Sequence, residues 1–462
     1  MQFLNAFLLL LTLCATIVYK THGTVGMLYG ASVAVLIFLA LTWKKISPAG
    51  KIFILINIAM LVVFWGRGVD LALVEHGLGR ITLFAAFMVG LIFLRVAAKK
   101  SRIISRCGSF LINQKPGARY AVLSYGSCLL GAILSFGALN LMGQVIANGN
   151  TLEAAKGEER IYAIRLRRMV LAMLRGFATL PLSSPFSISM ALVLSVIPSL
   201  RWQSLIPLTI VFAVVLIALG WLMDSWAYPK PAPQSGARKY DNHWGAVVSF
   251  IFIVLGLFGL SAMISITFDY GLPTSIMMLS PFFALGWFVI EFGLTGMSLK
   301  KAASFFFSSL KDELNGMSSE IAIIGGASFA GALVAAIIPS DLVQTFSETM
   351  GISGFALAVF CILAVALISV VGVSPFISVT ILASTFADVE VFGLSPYVLA
   401  LSLLTGWALA LNFSPLTIST IIIGRILNCR ASDVTLNWNR NYCLVALGAV
   451  IAILYVFHIM YD

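Results

Sequence analysis

Charge is what this sequence has least of. Only 10% of its 462 residues are Asp, Glu, Lys or Arg, against about 25% in soluble domains. The apolar set makes up 60%, more than a water-soluble core can absorb, so a soluble globular protein is excluded. Acidic residues are scarcer than basic ones, 18 against 29, which gives a formal charge of +11. The basic residues lie in short connections between long apolar runs rather than on one soluble face. That placement speaks against nucleic acid as a partner and makes them topology anchors in a lipid bilayer.

Histidine and cysteine are also sparse. The four histidines, His22, His76, His243 and His458, are far apart and near run ends, which favours solvated or interfacial residues over metal ligands. The six cysteines, Cys14, Cys107, Cys128, Cys361, Cys429 and Cys443, show no CxxC spacing, and four fall in apolar runs, where cysteine acts as a small hydrophobe. No disulfide, metal or cofactor is expected, beyond a sodium ion or proton as coupling ion. No nucleophile or acid/base pair stands among the runs, so an enzyme is not expected either.

What is present is a series of apolar runs, at about 3–19, 24–43, 52–66, 80–97, 119–147, 169–198, 205–224, 245–268, 275–297, 320–339, 352–383, 396–424 and 441–459. A hydrocarbon core needs about 20 helical residues to cross, and lipid offers backbone groups no partner, so the spans must be helical. The first run has neither a basic leader nor a small-residue cleavage site before Lys20, and reads as a retained helix. Basic clusters occur at Lys44, Lys45 and Lys51, Lys99 to Arg119, Lys156 to Arg168, Lys230 to Lys239, Lys300 to Lys311 and Arg425 to Arg440. By the positive-inside rule all six are cytoplasmic.

Two runs then have to leave and re-enter one face. The stretch 119–147 has basic connections on both sides and reads as a re-entrant hairpin; 352–383 is flanked by Asp341, Glu348, Asp388 and Glu390, with no Lys or Arg, and reads as a hairpin entering from outside. The expected fold is an all-α polytopic membrane protein with about eleven spans and two hairpins, N-terminus inside and C-terminus outside the cytoplasmic (inner) membrane. The order span, connector, hairpin, interrupted span, span occurs over about 80–224 and again over 320–459, in opposite orientation. The chain divides into scaffold helices (1–79), a first inverted repeat (80–224), a linker with scaffold helices (225–319) and a second repeat (320–462).

Polar interruptions occupy corresponding places in the two halves: Ser135, Gly137 and Asn140 in the first hairpin; Ser374, Pro375, Ser378 and Thr380 in the second; Ser183, Ser184, Pro185 and Ser187 in one broken span; Asn412, Ser414, Pro415 and Thr417 in the other. Proline removes a donor and clashes with the carbonyl four residues back, so Ser-Pro inside an apolar run opens a helix. Inverted repeats place a solute near such unwound backbone and half-helix ends. The breaks contain no ionisable residue, which favours a small anion held by dipoles and hydroxyls. Arg175, Arg425 and Glu291 are the nearby candidate charge partners. The arginines read chiefly as side chains snorkelling to the cytoplasmic end, or else as anion ligands; Glu291 is the carboxylate a proton-coupled antiporter would use. Asp70 and Glu75 fall with Arg67 in an outer connection.

The run Gly325 to Ala332, the hairpin motif near Ser374 and the stretch Asn412 to Thr420 resemble the second half of ion transporter superfamily members, a group including divalent anion/sodium symporters, arsenite permeases and some sodium/proton antiporters. The resemblance aligns Ser374, Ser378 and Thr380 with the family's hairpin triplet, and Ser184-Pro185 and Ser414-Pro415 with its Thr-Pro turns. It implies an elevator-type secondary carrier, usually a homodimer, coupled to sodium or protons. A cation/proton antiporter and a non-transporting assembly or lipid-handling component remain the alternatives.

Overall fold

A computed structural model describes residues 1–65, 71–112, 114, 116–153, 155, 157–228, 244–293, 298–337, 349 and 354–461. Most of the 225–244 connection, with Pro229, Pro231, Pro233 and Gly236, lies outside them, as do Arg67, Asp70, Asp341 and Glu348. All regular secondary structure among the described residues is helical, as the lack of backbone partners in lipid requires. In order the helices are α1 (Gln2–His22), α2 (Val25–Leu41), α3 (Pro48–Trp65), α4 (Leu71–Lys99), α5 (Arg102–Ile112), α6 (Pro116–Leu134), α7 (Gly137–Gly149), α8 (Glu159–Ala178), α9 (Leu180–Ser183), α10 (Ile188–Val196) and α11 (Trp202–Ala227). They continue as α12 (Trp244–Phe268), α13 (Leu272–Gly293), α14 (Leu299–Asn315), α15 (Ser318–Ile337), α16 (Phe355–Val370), α17 (Pro375–Thr385), α18 (Pro396–Phe413), α19 (Ile418–Leu427) and α20 (Arg440–Tyr461). Among the described residues eight stretches are long and apolar enough to cross a membrane, or nine if the pair Lys300–Asn315 and Ser318–Val334, bent by 54°, is one span. The chain is a polytopic membrane protein. The span expected through 169–198 is not among them: α8 has 20 residues but carries Arg160, Arg165, Arg167, Arg168 and Arg175, and α9 and α10 are short.

Two expectations change. The run expected at 80–97 extends back to Leu71, so α4 has 29 residues and Glu75 lies inside it rather than in a connection. This helix tolerates polar residues because it is the most enclosed of the spans, packed against α1, α2, α13, α14 and α15 rather than lipid. Secondly, the basic connections after Lys99 and Lys300 fold into α5 and α14. In α5, Ile104, Cys107 and Leu111 are buried while Arg102 and Arg106 face out; in α14, Ala302, Phe306, Leu310 and Leu314 form the buried stripe. Those spacings are helical, and burial pushes the Cys107 thiol up to about 11, so it serves as packing rather than as a nucleophile.

The basic connections at 99–119 and 300–311 lie at one end of the bundle. There Lys99 pairs with Glu313, Lys311 lies 4.8 Å from the Phe3 ring, and Asn315 Nδ2 donates to the Gln2 carbonyl at 3.0 Å. The far end carries Tyr19 and Lys20, the first turns of α4, and the α12–α13 turn at Asp269.

The two expected hairpins are helix pairs, α6–α7 and α16–α17. Packing runs in parallel through the halves: α6 on α8 and α16 on α18, α7 on α8 and α17 on α18. It also crosses between them, with α10 on α17 and α19 on α7. Two glycines fit this pattern. A Cβ on Gly176 would lie 2.0 Å from the Ser124 carbonyl oxygen, and one on Gly406 would lie 3.0 Å from that of Ile362. These glycines let α8 meet α6 and α18 meet α16 backbone to backbone, as small residues do between membrane helices. Both precede a Ser-Pro by the same interval, since 184 − 176 and 414 − 406 are each eight. Around the second hairpin, edge-to-face rings tie α4 to α17 to α18: Phe84 to Phe376 at 5.7 Å and Phe376 to Trp407 at 6.0 Å.

Candidate functional site

Both Ser-Pro motifs break their helices, and in the same way. After α9 the chain is extended at Ser184 (φ −111°, ψ 117°) and resumes as α10 behind Ser187 (φ −76°, ψ 143°). After α18 it is extended at Ser414 (φ −78°, ψ 127°) and resumes as α19 behind Thr417 (φ −74°, ψ 148°). The serine before proline is driven out of the helical region by the ring. Its hydroxyl then accepts a backbone N–H two residues on, from Phe186 at 3.3 Å in one break and Leu416 at 3.2 Å in the other. Ser187 caps α10 by accepting from Met190 N at 3.2 Å. In the second break Ser419 donates to the Leu411 carbonyl at 3.0 Å and Thr420 to that of Ser414 at 2.8 Å, so hydroxyls replace the lost ladder.

Each break is fastened to the first arm of its own hairpin. Cys128 Sγ of α6 donates to Ser183 Oγ at 3.0 Å, and Ser414 Oγ donates to the Ser369 carbonyl at the end of α16 at 2.6 Å. The hairpin turns differ in form. Ser135 takes a left-handed conformation (φ 51°) and α7 opens at Gly137. Asn140 is exposed one turn further on. In the second hairpin the break falls at 371–374, earlier than the expected 374–380. Pro375 begins α17 instead of interrupting it, because its missing N–H is unpaired at a first helical position anyway. Ser374 stands at the cap; Thr380 donates to the Phe376 carbonyl at 2.7 Å, inside the helix. Ser378 is buried with no partner for its hydroxyl.

Helix packing brings three of the four motifs together. α9 lies on α18, and α10 on both α17 and α18, so Ser183 to Ser187, Ser374 to Ser378 and Asn412 to Thr417 sit on mutually packed elements. The first hairpin joins through α7, which lies on α8 and α19.

Arg175 does not snorkel. It is 7% exposed, and its Nε donates to Asn439 Oδ1 at 2.8 Å while Nη1 donates to the Tyr120 hydroxyl at 3.2 Å. The Tyr442 ring covers the guanidinium at 4.3 Å. Asn439 in turn donates through Nδ2 to Asn412 O and Oδ1, at 3.0 and 3.1 Å. A cation of the first half thus holds, through one amide, the residue two positions before Ser414. Among the described residues its partners are all neutral. The site therefore keeps a net positive charge in low-dielectric surroundings, where a charge acts at greatest range.

The other two candidate charges lie elsewhere. Arg425 is exposed on α19. Glu291 ends α13 and caps α5: its Oε1 accepts from Ser101 Oγ at 2.9 Å and from the backbone N–H groups of Arg102 and Ile103 at 2.5 and 3.2 Å. Its Oε2 accepts from Trp287 Nε1 at 3.0 Å. A carboxylate on helix-end donors is a structural group.

Sequence reasoning misses Asn439, Tyr120 and a second buried arginine, Arg80, whose Nη1 donates to Ser384 Oγ of α17 at 2.9 Å. It also misses the pair Arg168–Asp224, bidentate at 3.1 and 2.6 Å with Asp224 buried. Arg80 stands first in its apolar run. Only the helical pitch of Leu71 to Leu78, continued back from it, would have moved it inside.

No family model matches the chain, and no curated protein matches it in sequence. Solved structures do match in fold. The YdaH transporter of Alcanivorax borkumensis, described as having an unusual topology, superposes with a TM-score of 0.62 over 90% of this chain and 99% of that one, at 14% identity. MtrF of Neisseria gonorrhoeae, described as illuminating a class of antimetabolite efflux pumps, gives 0.58 over 90% and 97%, also at 14% identity. The chain shares their fold across nearly its whole length.

Proposed function

We propose that this protein is a secondary active transporter of a small anion, with its solute site where the two Ser-Pro breaks face the second hairpin. The observation that carries the reading is the matched pair of breaks. They have one conformation, each is bonded to its own hairpin, and each resumed half-helix packs on the other half's hairpin. That crossed arrangement supports an inverted repeat, in which half-helix ends and unwound backbone at the midplane hold the solute. The N-terminal ends of α10 and α19 offer dipoles, Ser378 an unsatisfied hydroxyl, and Arg175 a positive charge behind Asn412. Among the described residues no carboxylate stands at the breaks, which disfavours a cation/proton antiporter.

The likeness to two transport proteins supports transport over a non-transporting role, and the antimetabolite efflux described for MtrF makes export as eligible as import. The positive-inside pattern places the basic end in the cytoplasm. The resemblance to ion transporter superfamily carriers supports an elevator mechanism, a homodimer and a sodium or proton gradient as the driving force. Purified protein in proteoliposomes, loaded for each direction and given a sodium, a proton or no gradient, tests the proposal with small carboxylates, sulfate and oxyanions. Gradient-dependent flux of at least one anion is expected. Flux of none under any gradient overturns it.

A further inference from the structure

The far end of the bundle holds a cavity of about 290 Å³ that the two breaks do not account for. It is walled by the last turn of α1, the first turns of α4, the end of α10 and the α12–α13 turn, and adjoins a second cavity of about 570 Å³ that shares Leu194 and Tyr270. The charge there is mostly basic. Lys20 and Arg80 line the first cavity, with the His76 ring beside them, and Arg201 the second; Asp269 lines both, yet no ion pair joins it to any of them among the described residues.

Arg80 is the decisive group. It is 9% exposed, nine-tenths buried, and among the described residues its hydrogen bond is Nη1 to Ser384 Oγ. Its Nε is buried with no partner. A buried guanidinium whose Nε–H has no partner is costly unless a counter-anion completes it. Its planar fork matches a carboxylate more closely than it matches any point charge. The rest of the lining suits an organic anion, with Ser195 and Thr274 as hydroxyl partners and Leu83 and Leu194 as apolar wall. The volume holds a ligand of one ring or a short chain, at the small end of ligand sites.

We propose that this cavity is a second, separate binding site for a small organic carboxylate, held by Arg80 with Lys20 and His76 beside it. Its place gives it a use. Ser195 lies eight residues along α10 from Ser187, and Ser384 ten along α17 from Ser374, which at the helical rise puts the cavity about 12–15 Å from the breaks. It sits at the far ends of the same two half-helices whose near ends face the proposed transport site, as an antechamber would. The binding itself does not depend on the transport reading.

The test is protection from alkylation in detergent, free of added lipid, with the full chain. Ser195→Cys supplies a thiol in the cavity wall, and its modification by a maleimide is followed by peptide mass spectrometry, which separates it from Cys14. Benzoate at about ten times its Kd is expected to slow labelling by about tenfold, because only the unoccupied fraction reacts. The neutral isostere benzamide is expected not to. Adding Arg80→Gln abolishes the protection and Arg80→Lys keeps part of it, while Ser184→Ala with Ser414→Ala leaves it intact. Equal melting temperatures show that the variants are folded. Absence of protection by benzoate, equal protection by benzamide, or protection that persists in Arg80→Gln overturns the proposal. None of these readouts measures flux, so the site stands or falls separately from the transport function.

Discussion

The most consequential single residue is Arg175, because its charge is met by an amide, a phenol and an aromatic face rather than by a carboxylate. Such partners orient a guanidinium without neutralising it. Replacing Arg175 with Gln removes the charge and frees Asn439 from its role as relay to Asn412. Anion uptake is then expected to fall by about tenfold or more, the worth of one charge-assisted contact, with membrane expression retained. Asn439→Ala has the same effect, and the double variant is no worse than either, since residues acting as a unit are not additive. A wild-type uptake rate in Arg175→Gln removes the residue from the mechanism. The Ser-Pro pairs were legible because proline's effect is local. The relay was not: Arg175 and Asn439 are 264 positions apart, and only packing of α8 against the second half brings them together.

At the scale of elements, the short amphipathic helices repay attention. α5 and α14 each follow a long span and each lie at the basic end, α5 on α12, α6 and α7, and α14 on α1, α4 and α13. Charge patterning reads them as connections because Arg102 and Arg106 in one, and Lys300, Lys301 and Lys311 in the other, mark them as such; the apolar stripe of three or four residues is too short to stand out between spans. Glu291 shows the cost of reading a carboxylate without its neighbours. In isolation a glutamate near the end of an apolar run is a proton site by default, but here three donors from Ser101, Arg102 and Ile103 surround it. Glu291→Gln is expected to weaken the start of α5 by about 1 kcal/mol, read as a lower melting temperature, while uptake and its response to a proton gradient stay as in the parent. Loss of proton-driven flux at an unchanged melting temperature would move the coupling carboxylate to this position.

For the whole molecule, the question is whether the two halves face opposite ways. The charge pattern alone asks for it: the stretch 150–168, with Lys156 and Arg160 to Arg168, belongs with the basic clusters, and 384–395, with Asp388 and Glu390, with the acidic connections. The packing is that of a pseudo-two-fold pair, since α10 reaches the second hairpin and α19 the first; the sense of that axis is what labelling from each side reads. The glycines eight residues before each Ser-Pro say the same thing in sequence, as a repeat too sparse to notice until the close approaches of α8 to α6 and α18 to α16 are known. Glu158 and Asp388 lie in the two hairpin connections and both are exposed. With Glu158→Cys and Asp388→Cys made separately, a membrane-impermeant maleimide applied to intact cells is expected to label the second alone, and applied to inverted vesicles the first alone. Labelling of both from one side would put both hairpins on one face, remove the inversion, and leave two breaks without a common midplane to define.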